Sequence, residues 1–153
     1  MGVRGTPQPR GGIIANILTK PTRACYSESF GTEINSIKGK RRWSLKGFAL
    51  ELWHKKILPR SDRIVENEKP EIYRNCNVRD TFMARHCWMV GPDEQHAHPT
   101  IVVVSESKIV LRRTMRMLAK DNKIEEDGFK VMGVKTSDVR ELAGEAEFTA
   151  VLV

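Results

Sequence analysis

Three groups of side chains have types that suit chemistry. The first is Cys76, His86, Cys87, His96 and His98, whose sulfur and imidazole donors match zinc. Their spacing contains no C-x2-C or H-x3-H pair. His96 and His98 share a face only if the chain is extended, and His86 and Cys87 point apart on a strand. The alternative is a buried Cys87 beside Trp88 and Met89, with ordinary surface histidines. No metal is expected. The second group is Ser105 and Ser107, which follow an apolar run and precede a helical pattern. A serine nucleophile needs a glycine-flanked elbow and a histidine base, and Ser105 lacks the glycines. No dinucleotide or Walker glycine pattern accompanies them. A helix N-cap is the simpler reading. No catalytic residue and no cofactor is therefore assigned.

The third group is basic. Lys38, Lys40, Arg41, Arg42, Trp43 and Lys46 form a cluster suited to phosphates, with Trp43 available to stack on a base. An import receptor would read the same cluster, and a solvated segment would look alike. The formal charge of +7 lies entirely in this first third. Residues 1–46 hold nine basic and two acidic residues, and the rest of the chain balances 17 against 17. Such a segment suits a polyanion. Lys108, Arg112, Arg116 and Lys120 recur every four residues, a second basic stripe. Glu125, Glu126 and Asp127 follow and partly neutralise it, so it reads as a solvated face.

Composition narrows the setting. No stretch approaches the roughly 18 apolar residues of a membrane span. Residues 11–18 are too short and polar for a signal-peptide core. Three cysteines, Cys25, Cys76 and Cys87, give no disulfide framework. An intracellular setting, nucleus or cytoplasm, is expected. Met1-Gly2-Val3-Arg4-Gly5-Thr6 also fits a short myristoylation pattern.

The elements that must position these groups read as follows. Residues 1–42 are rich in glycine and proline and are expected to be a flexible basic arm. Leu45, Phe48, Ala49, Leu52 and Trp53 share one helical face. They predict a helix over 44–58, capped by Ser44 and ended by Pro59. Residues 60–80 read as loop, with a short extended piece at Ile72-Tyr73. Residues 82–90 are apolar, and helix and strand both remain open. Gly91-Pro92-Asp93 is a turn. Thr100–Val104 is β-branched throughout and suits a central strand covered on both faces. Leu111, Met115 and Leu118 make the core stripe of a helix. Asp127-Gly128 turns the chain into a strand at 129–134. Asp138–Ala143 predicts a short helix with a capping box, and Phe148–Val153 a third strand. The order β-α-β-α-β implies parallel strands with right-handed crossovers.

Thr100-Ile101-Val102-Val103-Val104-Ser105-Glu106-Ser107, followed by Arg112-Arg113, Gly128–Val134 and Phe148–Val153, resembles the first half of a response-regulator receiver domain. The resemblance covers about a third of the chain. It implies a doubly wound α/β fold, with acids after the first strand for magnesium. Ser105 and Glu106 stand at those positions, so one of the pair is acidic. The chain stops at Val153, about where the phosphoacceptor would follow. Cys87–Pro92 with His98–Ser105, the basic helix and Gly128-Phe129 also resembles uncharacterised proteins of filamentous fungi, which implies no activity.

The expected fold is α/β or α+β. It has a small, mainly parallel βαβαβ sheet at 98–153 within a single domain at 43–153, with a preceding helix and the arm at 1–42. The expected function is a non-enzymatic regulatory or interaction module whose arm contacts nucleic acid, another polyanion or an import receptor. The alternative is a receiver-like or other enzyme fragment lacking a complete active site. The apolar, uncharged strand Phe148–Val153 would leave a sheet edge open to a second copy or a partner protein.

Overall fold

A two-residue hairpin at Lys38-Gly39 sets the first half of the fold. Both residues have positive φ, 51° and 78°, the pairing that matches the twist of the flanking strands. It joins β1 (Phe30–Ile37) to β2 (Lys40–Leu45). The computed structural model describes residues 23–77 and 82–138. Residues 1–22 of the expected arm and its myristoylation pattern lie outside them. So do the expected strand Phe148–Val153 and nearly all of the expected helix from Asp138.

Residues 30–37 and 40–42, read from sequence as arm, are thus strand. β1 is an outer strand, where polar side chains can face water, so its composition resembles that of a tail. β2 lies inside the sheet and sends Trp43 and Arg42 to opposite faces.

Helix follows from Gly47 to Ile72 in three pieces: α1 (Gly47–Leu52), a π turn (Trp53–Ile57) and α2 (Leu58–Ile72). Two expectations fail here. Ser44 belongs to β2, and its hydroxyl accepts the Thr32 N–H. The Ala49 N–H near the helix start is instead taken by the buried Ser29 hydroxyl at 3.1 Å. Pro59 does not end the helix. It sits in the first turn of α2, where a missing N–H is tolerated, and the wide π turn before it lets the chain stay helical. Residues 60–72 are therefore helix and not loop.

β3 (Ala84–Gly91) resolves the ambiguity at 82–90 as strand, and β4 (His98–Val104) pairs with it antiparallel. α3 (Lys108–Ala119), α4 (Asn122–Glu126) and β5 (Lys130–Val134) complete the described chain. The five strands lie in the order β1-β2-β3-β4-β5. Among the described strands only β4 and β5 are parallel. The sheet is mixed, which corrects the mainly parallel expectation. Connection length accounts for the two pairings of β4. The short link from β3 to β4 permits only an antiparallel return, whereas α3 gives the crossover that parallel strands need.

Ile101, Val102, Val103 and Val104 are all 0% exposed, as a strand covered on both faces requires. One face carries Trp43, Met89, Ile101 and Val103 against Trp53, Ile57 and Leu118 from the helices. The other carries Trp88, Val90, Val102, Val104 and Val134. Gly128, at φ 82°, makes the expected turn beneath the Tyr26 ring, and the Tyr26 hydroxyl donates to the Asp127 carbonyl. No helix among the described residues is long and apolar enough to cross a membrane.

Candidate functional site

α3 begins where Ser107 accepts the Val110 N–H at 3.2 Å, the N-cap role expected from sequence. Ser105 is fully buried, and its hydroxyl donates to the Phe82 carbonyl at 2.8 Å. Glu106 accepts the Ser137 N–H at 2.9 Å. These contacts leave both serines engaged in structure.

From that start, helical spacing sends Val110, Leu111, Thr114 and Leu118 inward. It sends Lys108, Arg112 and Arg116 outward, with Lys120 exposed at the C-terminal end. None of these four cations has an acidic partner within salt-bridge distance among the described residues. Arg113, half-buried beside them, has a different task. Its guanidinium donates to the carbonyls of Glu71, Ile72 and Arg74 at 3.3, 3.1 and 2.7 Å. It therefore closes the C-terminal end of α2, where carbonyls lack helical partners and the dipole favours a cation.

This tie brings Arg74 alongside α3. The result is an open cleft of about 320 Å³ lined by Glu71, Arg74, Ile109, Arg112, Arg113 and Arg116. Four guanidinium groups meet one carboxylate, and that carboxylate pairs with Arg74 at 3.1 Å. The acids after α3 are partly drawn away. Asp121 caps α4 and bonds Arg60 at 2.8 Å, which holds its carboxyl below the usual range. Asp127 pairs with Lys56 at 2.9 Å. Glu125 and Glu126 remain exposed nearby.

The basic cluster chosen from sequence is divided by the fold. Lys38, Lys40 and Lys46 are exposed. Arg41 is exposed but bonds Glu33 through two nitrogens, at 2.8 and 2.9 Å, and lies over Trp43. Arg42 is 1% exposed and donates to the Asn35 carbonyl at 2.6 Å. Trp43 is 2% exposed and packs edge-on against Phe30. The six residues do not form one surface, and Trp43 has no face open to a base.

The soft ligands are also dispersed. Cys76 follows α2, while His86 and Cys87 face opposite sides of β3. His96 bonds Asp93 at 2.8 Å. Among the described residues no three of His, Cys, Asp and Glu gather as a metal site.

Sequence reasoning found the stripe on α3 but missed Arg74 and Arg113. Arg74 joins only once residues 60–72 are helix, and only the contact map distinguishes Arg113 from Arg112. Comparison with protein-family models, with curated proteins and with solved structures returned no match.

Proposed function

We propose that the protein is a non-enzymatic module that binds polyanions, nucleic-acid backbone foremost, through α3. The observation that carries this reading is the row Lys108, Arg112, Arg116 and Lys120, exposed and without acidic partners among the described residues, with Arg74 across the cleft. A 12-residue helix is about 18 Å long, which matches about five base-pair steps of a duplex. Guanidinium forks suit phosphate oxygens, and phosphate contacts carry no sequence information directly. Binding would therefore be insensitive to sequence and sensitive to salt. The exposed Lys38, Lys40 and Lys46 extend the positive field without sharing the cleft.

The test is fluorescence anisotropy of the full chain with a labelled duplex over a range of salt concentrations. Replacing Arg112 and Arg116 with Ala should lower the slope of log affinity on log salt by about 0.9 for each lost phosphate contact. It should do so alike for unrelated duplex sequences. An unchanged slope, or an affinity independent of salt, would sink the proposal.

A further inference from the structure

A second cleft, unrelated to α3, opens at one end of the sheet. It has a volume of about 310 Å³, the lower end of the range for small-ligand sites. Strand register builds it. Arg42 pairs with Val90, Val90 with His98, and Thr100 with Lys130. Paired residues share a face, as do residues two apart on one strand. Lys40, His98 and Lys130 therefore stand on the same side of the sheet, opposite the helices. His96, from the short turn after Pro92, borders the same space.

The chemistry of the lining is uneven in an informative way. Lys40 and Lys130 are exposed, and neither has an acidic partner among the described residues. His96 and His98 border the cleft. Asp93 and Glu94 are the acids on the neighbouring turn, and Asp93 is bonded to the His96 ring and to its backbone N–H. Val90, Pro92 and Met132 supply apolar walls. Lysines on flexible stems act as point charges for phosphate, and two of them approach from strands that are not neighbours. A phosphate monoester brings nearly two negative charges and three acceptor oxygens at neutral pH. The apolar walls suit a carbon skeleton that a bare inorganic ion lacks.

We propose that this strand-end cleft binds a small phosphorylated organic molecule. Lys40 and Lys130 hold the phosphate, and Val90, Pro92 and Met132 pack against the organic part. Nothing in this depends on α3, so either proposal can fail alone.

Calorimetric titration of the full chain with phenyl phosphate tests it, with benzoate and inorganic phosphate in parallel. The expected result is saturable one-site binding, with both comparison ligands at least about tenfold weaker. The Lys40→Ala, Lys130→Ala double variant should lose at least about tenfold in affinity. Both lysines are exposed, so the variant should keep the parent's circular dichroism. The Arg112→Ala, Arg116→Ala variant should bind like the parent. Absence of saturation up to about 10 mM would overturn the proposal. So would parental affinity in the lysine variant, or loss of binding in the arginine variant instead.

Discussion

The Arg42 guanidinium lies over the Trp88 indole, 4.3 Å from the ring centroid. His86 lies tilted against the same indole, with ring centroids 4.1 Å apart and planes at 36°. The strand pairing of β2 with β3 builds this row, because Arg42 stands opposite Val90, two residues from Trp88. A cation against the negative face of an indole is favourable, the more so when desolvated. A second cation in the same row is not. Burial, and then Arg42, push the His86 pKa down to about 4.

That shift gives the first prediction. Between about pH 6.5 and pH 4 the unfolded chain binds a proton at His86 that the folded chain refuses. A folded-state pKa lowered in this way makes stability fall as pH drops through the window, and the His86 contribution levels off below it. The loss should amount to about 3 kcal/mol at most. Urea unfolding at pH 7 and pH 4.5 should show a smaller difference for His86→Phe than for the parent. Identical pH dependence in the two proteins would remove His86 from the account.

Two strand glycines should respond unequally to the same substitution. A Cβ on Gly91 would lie 2.5 to 2.8 Å from backbone atoms of His96 and Ala97, which have no freedom to retreat. A Cβ on Gly133 would meet the Met115 sulfur at 2.5 Å, the end of a flexible side chain. Gly133→Ala should therefore cost about 1–3 kcal/mol. Part of that should return in the Met115→Ala background. Gly91→Ala should cost more, with no side-chain rescue. Chemical denaturation of the single and double variants reads this directly. A larger loss at Gly133 would contradict the packing described for the β3–β4 turn.

Thiol reactivity should divide the cysteines. Cys25 is exposed, Cys76 is half-buried and Cys87 is buried. Burial pushes the Cys87 thiol well up, which removes the thiolate that reacts. A thiol reagent at mildly alkaline pH should label Cys25 fast, and Cys25→Ser should abolish the fast phase. Cys87 should react only under denaturing conditions. Its rapid labelling in the native protein would mean that the helix-covered face of the sheet opens.

The legible parts of the fold were those where one local rule dominates. Thr100–Val104 is strand because five β-branched or apolar residues permit little else, and Asp127-Gly128 turns because glycine accepts φ 82°. The missed parts depend on tertiary context. β1 reads as a tail because an outer strand needs few apolar residues. Lys38-Gly39 is a hairpin turn only once its flanks are known to pair. Pro59 signals a helix end unless a π turn precedes it. For the candidate site, a four-residue period revealed Lys108, Arg112, Arg116 and Lys120. The charge count instead favoured residues 38–46, because counting cannot see that Trp43 and Arg42 turn to opposite, buried faces.

Arginines that adjoin in sequence should separate in their effects. Arg113 donates to three carbonyls at and just past the end of α2, and those of Glu71 and Ile72 would otherwise be left half-buried with weaker partners. Hydrogen bonds from a charged donor contribute about 1.5–3 kcal/mol, so Arg113→Met should destabilise the fold by that order. All three bonds come from one nitrogen, Nη1, which the shorter lysine stem does not reach fully, so Arg113→Lys should recover only part of the loss. Arg112 and Arg116 are exposed, and neither has a carboxylate partner among the described residues. Their replacement by Ala should change stability by less than about 0.5 kcal/mol. In the anisotropy assay the pattern should invert. Arg112→Ala and Arg116→Ala should weaken duplex binding. Arg113→Met, held well below its unfolding midpoint, should weaken it less, acting mainly through the placement of Arg74. Equal stability losses at positions 112 and 113 would show that the α2 end does not rely on Arg113. Equal binding losses at all three positions would mean that Arg113 itself touches the ligand.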